Sequence, residues 1–333
     1  MRLLVTGGLG FIGSNFVLKF LNENPDSKIL NVDAELDGSN KKNLESLENS
    51  PNYEYVKGNI TNRKFMEKQI EKSDAVVNFA AESFVDRSIS DANPFLVSNI
   101  RGAFTVLDII TKQKKRMVQI STDEVFGSLS QNTANENSKF NPSSPYAATK
   151  AAAELIINSY SATYDCDVII TRCTNNYGPR QFAEKLIPKT IILANQNKKI
   201  PIYGSGKNIR DWILVDDHCD AVSLALSKGK RGESYNISAN NEVDNLTIVK
   251  KILNIMGKSE DLIEFVEDRP GHDFRYSMSS KKISDELDWK IKINFEEGLE
   301  KTIEWYLDNP EILNNISQTV LDSTPWKNNY RKL

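Results

Sequence analysis

The chain has 333 residues, 39% of them hydrophobic, and a formal net charge of −3. That length supports one large core, or a large core with a smaller lobe. The charge balance argues against a nucleic-acid binder, whose footprint is a basic excess, and no apolar run reaches the length of a membrane span.

Met1-Arg2 leads directly into Leu3-Leu4-Val5-Thr6-Gly7-Gly8, with no charged leader region and no small-residue cleavage site. This reads as a core strand and not as a signal peptide. Short apolar runs at residues 3–6, 29–33, 55–56, 75–80, 117–121 and 168–171 predict strands. Several lack polar alternation, as a parallel sheet covered on both faces requires. Amphipathic segments at 11–22, 63–71, 94–113 and 146–164 predict the intervening helices. Strands alternating with helices give an α/β class, a doubly wound parallel sheet. The basic run Lys112, Lys114, Lys115, Arg116 closes a helix, where cations complement the dipole.

The second half is less regular. Residues 179–200 carry loop signals and then a helix ending near 195; 204–212 are glycine-rich and polar. Segments 215–226, 245–256 and 296–307 predict helices, and 233–237 a strand that returns to the main sheet. The expected division is a nucleotide-binding domain over 1–175, rejoined by segments near 213–239, and a smaller mixed α/β lobe over 176–333. Cys166, Cys173 and Cys219 follow no metal-ligand spacing and are expected to be reduced, buried and inert, which points to the cytoplasm. His218 and His272 are too few and too dispersed for a histidine metal site, so no metal is expected.

Gly7, Gly10 and Gly13 lie three apart between the first strand and the first helix, in Thr6-Gly7-Gly8-Leu9-Gly10-Phe11-Ile12-Gly13. Such a turn lets the backbone approach a pyrophosphate at a helix N-terminus. Asp33 ends the second strand twenty residues after Gly13, placed to bond ribose hydroxyls and to repel a 2′-phosphate, so NAD is favoured over NADP. The Gly-x-x-Gly-x-x-Gly spacing resembles the extended branch of the short-chain dehydrogenase/reductase superfamily.

Tyr146 and Lys150 stand four apart at the start of a helix and share one face. A free phenol is a poor base at neutral pH; a nearby ammonium favours its phenolate, so the pair can act as a general base. The fifth strand ends in Ser121-Thr122-Asp123-Glu124. Thr122 can bond the hydroxyl that Tyr146 deprotonates. Asp123 and Glu124 imply further proton transfers beyond a redox step, one group donating and one accepting.

With these residues the chain resembles the dTDP-glucose 4,6-dehydratases over essentially its whole length. The Thr-Asp-Glu at 122–124 followed by Tyr146 and Lys150 is the specific signature. Similar segments are Ala80-Ala81-Glu82-Ser83-Phe84-Val85-Asp86-Arg87-Ser88, Asn175-Asn176-Tyr177-Gly178-Pro179, Glu184-Lys185-Leu186, Ile209-Arg210-Asp211-Trp212 and Arg269-Pro270-Gly271-His272-Asp273. The resemblance implies a cycle of C4 oxidation with NAD, loss of water across C5 and C6, and hydride return to C6. It gives Tyr146 as the C4 base, Lys150 and Thr122 as its supports, Glu124 as the C5 base and Asp123 as the acid at C6. It places Gly7, Gly10, Phe11, Ile12, Gly13, Asp33, Asn59, Ile60, Ala80 and Ala81 at NAD. Ser83, Arg87, Asn175, Glu184, Lys185, Leu186, Arg210, Asn245, Arg269 and His272 fall at the sugar nucleotide. Arg210 and Arg269 also suit a diphosphate on chemical grounds. A homodimer is implied, paired through 94–113 and 146–164.

The chain departs from the family at several places. Phe84 replaces the usual histidine, Phe126 the usual tyrosine and Asn59 the usual aspartate; Asn59 is expected to meet the adenine through its amide oxygen. Two other readings compete. A UDP-sugar 4-epimerase would have no use for Asp123-Glu124. A non-catalytic NAD sensor or scaffold would not need Thr122, Tyr146 and Lys150 together.

Overall fold

The computed structural model describes residues 1–314, 320–321 and 326. Its strands are β1 (Arg2–Thr6), β2 (Lys28–Asp33), β3 (Tyr53–Lys57), β4 (Ala75–Asn78), β5 (Arg116–Thr122), β6 (Val168–Cys173), β7 (Asn175–Tyr177), β8 (Ile200–Tyr203), β9 (Ile209–Leu214), β10 (Ser234–Ile237), β11 (Glu242–Asp244) and β12 (Ile263–Val266). Seven of them form one parallel sheet in the order β10-β6-β5-β4-β1-β2-β3. The order reverses at β1, which puts a crevice at the carboxyl ends of β1 and β4.

Burial on both faces explains the continuous apolar strands. In β1, Leu3 and Val5 join one cluster with Phe16 and Val222, while Leu4 joins another with Met66 and Val106. The two-residue period of a strand sends neighbours to opposite faces, and helices cover each. The expected doubly wound class is therefore the observed one. A separate cluster in the second half gathers Tyr177, Ile191, Trp212, Ile248, Leu299 and Tyr306. Strand β10 returns to the large sheet beside β6. The helix Lys281–Leu287 also lies on this side, since Ile283, Leu287 and Trp289 pack into the same cluster as Leu3.

Several elements differ from the sequence reading. Residues 204–212 contain β9, paired with β7 and β11. Its polar residues are satisfied by polar partners: Asp211 accepts from the backbone of Asn240 and Asn241, and Arg210 donates to the carbonyls of Ile209, Phe274 and Asp273. No apolar alternation is needed there, so none is visible. The helical stretch expected at 94–113 contains a π-helical segment, Leu96–Gly102. Within it Asn99 accepts from the Glu82 amide and donates to the Glu82 carbonyl and to Thr149, clamping the loop after β4 to the Pro145–Tyr164 helix. No helix among the described residues is long and apolar enough to cross a membrane.

A buried ion pair ties the catalytic end of the sheet together. Arg172 on β6 bonds Glu154 on the Pro145–Tyr164 helix at 2.7 and 2.9 Å, and Ser121 on β5 donates to the same carboxylate. Their side chains are 2% and 1% exposed. Removing one partner strands the other charge in a low-dielectric core. Glu154→Ala is therefore expected to cost about 3–5 kcal/mol of stability, read by urea unfolding. A loss under about 1 kcal/mol, the range of a surface pair, would show that the pair is not what holds these strands.

Candidate active site

The first cavity runs along the carboxyl ends of β1, β2, β4 and β5. All the residues assigned to NAD line it: Gly7, Gly10, Phe11, Ile12, Gly13, Asp33, Asn59, Ile60, Ala80, Ala81, Tyr146 and Lys150. Backbone geometry makes the glycine turn obligatory. Gly7 has φ +71, and a Cβ on Gly13 would sit 2.3 Å from the Gly7 carbonyl oxygen. No side chain caps the Phe11–Glu23 helix and no acid stands in its first turn. Its open N-terminus is thus available to an anion in the cavity. Asp33 accepts from the Leu9 and Glu35 amides and from the Ser39 hydroxyl. A carboxylate offers about four acceptor sites, so a ribose hydroxyl can still bond it. These residues fit a dinucleotide.

Asn59 behaves differently from the expectation. Its amide oxygen accepts from both the backbone N–H and the hydroxyl of Thr61. Both lone pairs are committed to that turn, so the group left for an adenine edge is the amide N–H2.

Thr122, Asp123, Glu124, Tyr146 and Lys150 converge at the inner end of this cavity. Pro145 opens the helix that carries Tyr146, and Ser144 caps it by accepting from the Ala147 amide. Lys150 donates to the Ile120 carbonyl at 2.6 Å, and burial brings its pKa down to about 8. Burial and the charge of Glu124 push the Tyr146 phenol well above its ordinary value, against a hydrogen bond with Thr122. Desolvation is the largest influence on this phenol.

The two carboxyls sit in unequal surroundings. Burial raises both. Asp123 is raised further by the charge of Glu124 and ends well above the usual range. Glu124 is raised by burial but drawn back by Arg269, Lys185 and Arg210. One oxygen of each, Asp123 Oδ2 and Glu124 Oε2, is buried without a hydrogen-bond partner.

A second cavity adjoins the first at Glu124, Asn175 and Lys185. Glu184, Leu186, Arg210, Asn245, Arg269 and His272 line it, and Ser83 lines the first cavity. Arg87 lines neither. It is held at 2.6 Å by Glu184 and at 2.5 Å by Asp37, and its guanidinium lies 4.4 Å from the Phe84 ring centroid. Gln181, Phe182 and Tyr276, which stand in segments that resemble the family's, also line the two cavities, as do Cys173 and Tyr203, which no motif revealed. Cys166, Cys173 and Cys219 are free and buried, and burial drives the Cys173 thiol up to about 12.

A glycine turn at the switch point of a parallel sheet, with tyrosine and lysine one helical turn apart beyond β5, defines an extended short-chain dehydrogenase/reductase. Known proteins narrow the class. A family model for GDP-mannose 4,6 dehydratase matches residues 4–302, and the chain belongs to that family. A dTDP-glucose 4,6-dehydratase of Haemophilus influenzae is 44% identical, over 93% of this chain and 98% of its own. A low-salt glycan biosynthesis protein of Haloferax volcanii is 45% identical, over 93% of this chain and all of its own. A crystal structure of a dTDP-glucose 4,6-dehydratase from Streptomyces venezuelae, with NAD and a dTDP ligand bound, superposes with a TM-score of 0.91 at 40% identity, covering 93% of this chain and 98% of that one. The resemblance to dTDP-glucose 4,6-dehydratases read from the motifs is thus the relationship found.

Gly13→Ala is expected to lower NAD affinity by about tenfold or more, roughly 1.4 kcal/mol, because the turn must open to admit the methyl group. Titration of the stripped protein with NAD checks this. Unaltered affinity would show that the pyrophosphate does not lie on this turn.

Proposed function

We propose that the chain converts dTDP-glucose to dTDP-4-keto-6-deoxyglucose and water. The observation that carries this reading is the unequal charged surroundings of the buried Asp123 and Glu124 beside Tyr146. Two carboxyls whose surroundings push their proton affinities apart form an acid and a base in one site. An epimerase would have no step for them.

When bound, NAD supplies the hydride acceptor for C4, the donor for C6 and a positive ring that favours the Tyr146 phenolate. Tyr146 takes the proton of the C4 hydroxyl, and Thr122 hydrogen-bonds the tyrosine that does so. Lys150 holds its ammonium below about pH 8 and anchors the helix to β5 through Ile120. The C4 ketone acidifies C5, and Glu124 removes that proton. Asp123, kept protonated by burial and by its neighbour, gives its proton to the C6 hydroxyl as the C–O bond breaks. Glu124 then returns its proton to C5. The turnover leaves Tyr146 with one proton more and Asp123 with one fewer; loss of the first to water and regain of the second from water restore both groups for the next cycle.

Lys185, Arg210 and Arg269 form the cationic wall suited to the substrate diphosphate. Ser83, Asn175, Glu184, Leu186, Asn245 and His272 complete the enclosure. Arg87 acts at one remove, by holding Glu184. Residues 1–175 with 213–239 form the nucleotide domain, joined by the 281–289 segment, and the rest of 176–333 the substrate lobe.

A homodimer fits the surface. Leu96, Val97, Leu155 and Tyr164 remain 38–59% exposed on the two helical segments expected to pair. Sedimentation at micromolar protein should show the dimer, and a monomer alone would remove it. The three free cysteines suit the reducing cytoplasm, where we place the protein.

The deciding assay uses dTDP-glucose deuterated at C4, with products read by mass and proton NMR. Loss of one water with deuterium moved to C6 is expected; unchanged mass with inversion at C4 would make the chain an epimerase.

The pH profile follows from the carboxyl environments. Glu124 works as the carboxylate, so activity is lost as pH falls through its elevated pKa, above the ordinary value of about 4.3. Lys150 works as the ammonium, so activity falls as pH rises through about 8. A kcat that does not fall as pH rises through about 8 would contradict the Lys150 assignment, and an acid limb no higher than the ordinary value of about 4.3 would contradict that of Glu124.

A further inference from the structure

One short helix, Val85–Ser90, touches both halves of the proposed site. At one end Asp86 accepts from Arg269 Nη1 at 2.8 Å and from the Tyr203 hydroxyl at 3.0 Å. Arg269 and Tyr203 belong to the second half of the chain and line the second cavity. Two residues on, the Ser88 hydroxyl accepts from the backbone amide of Tyr146 at 3.1 Å and donates to the Val85 carbonyl at 2.7 Å. Val85 and Ile89 pack with Phe95 against the Tyr146 ring.

The amide of Tyr146 has no acceptor within its own helix. Pro145 ahead of it has no N–H, and Ser144 caps the next amide, that of Ala147. Helix N-termini leave such donors to be satisfied from outside. Here the outside acceptor is Ser88, itself 1% exposed and fixed by its bond to Val85. The position of the catalytic tyrosine along its helix axis is therefore set by the Val85–Ser90 helix. The same helix, through Asp86, sets where the Arg269 guanidinium stands. Arg269 Nε is buried without a hydrogen-bond partner, so this guanidinium keeps a donor for an incoming anion.

We propose that the Val85–Ser90 helix couples the substrate's anion site to the catalytic tyrosine, with Asp86 positioning Arg269 and Ser88 positioning Tyr146. An anion drawn onto Arg269 shares it with Asp86. That shift is transmitted along a six-residue helix to the amide of Tyr146. Asp86 and Ser88 are positioning residues; neither is assigned a bond to the reacting carbons. The inference rests on the proposed dehydratase reaction.

A double-mutant cycle on the NAD-loaded protein tests it, with dTDP-glucose turnover as the readout. Ser88→Cys keeps the volume but offers a poor acceptor. It is expected to lower kcat by about tenfold or more, with KM within about twofold, as a displaced catalytic group does. Ser88→Thr retains the hydroxyl and is expected to restore most of the rate. Asp86→Asn is expected to raise KM and also to lower kcat. In the Ser88→Cys background, Asp86→Asn should lower kcat no further, because the link is already cut. Full kcat in Ser88→Cys, or independent multiplication of the two losses, would overturn the coupling. If Ser88→Cys does not fold, Val85→Ala, which loosens the packing on Tyr146, takes its place in the same cycle. A wild-type protein with no turnover of dTDP-glucose would overturn the proposed reaction first; wild-type turnover with multiplicative losses overturns only the coupling.

Discussion

The site depends on burying two adjacent carboxyls at the end of one strand and surrounding them unequally. Burial alone raises the proton affinity of both. A difference between them needs charges that act more strongly on one than on the other. Lys185, Arg210 and Arg269 supply it for Glu124, and all three come from beyond residue 175. Asp123 has Glu124 itself as its strongest charged neighbour. The strand ends that carry the pair are held by Glu154, Arg172 and Ser121, a polar network fully inside the sheet. A fold that puts chemistry at strand ends must fix those ends, and here an ion pair and a serine do so.

The nucleotide half was readable because its chemistry is local in sequence. The glycine turn needs Gly7 and Gly13 within a few residues of β1, and Tyr146 and Lys150 need only one helical turn. Buried parallel strands also announce themselves as apolar runs. The second half follows other rules. Strand β9 is held by Arg210 and Asp211 bonding to distant backbone, so its sequence looks polar and loop-like. Strands β8 and β12 form a parallel pair from segments about sixty residues apart, which no short-range pattern encodes. Tyr203 reaches its cavity on that pair, and nothing near it in sequence marked it.

The departures from the family pattern fall at different places: Phe84 lines both cavities, Asn59 the first alone, and Phe126 packs in a small core cluster with Val125 and Met278. Phe84, in place of histidine, sits against Gly38 and Phe182, with the Arg87 and Lys185 cations over its ring. Cations stack on an aromatic face with no need for a hydrogen bond. Phe84 thus holds the Arg87 and Lys185 cations at an aromatic face, with Lys185 also acting on Glu124. Arg87 pairs with Glu184 and Asp37. Asn59 spends its oxygen on the Thr61 turn and presents a donor where aspartate would present an acceptor.

The cations that hold Glu124 down are the same groups suited to the substrate diphosphate. A bound diphosphate carries negative charge onto Arg210, Arg269 and Lys185 and cancels part of their field. Glu124 then loses the interaction that lowered its proton affinity, while its burial remains. In the proposed reaction its proton affinity therefore rises on substrate binding, and the carboxylate becomes a stronger base when a C5 proton is at hand. Among these cations Arg210 acts most on Asp123, against the stronger opposing charge of Glu124, so its affinity moves less. Substrate binding therefore brings the acid and the base closer in strength. That suits the proposed reaction, in which Glu124 first takes a proton from C5 and then gives it back.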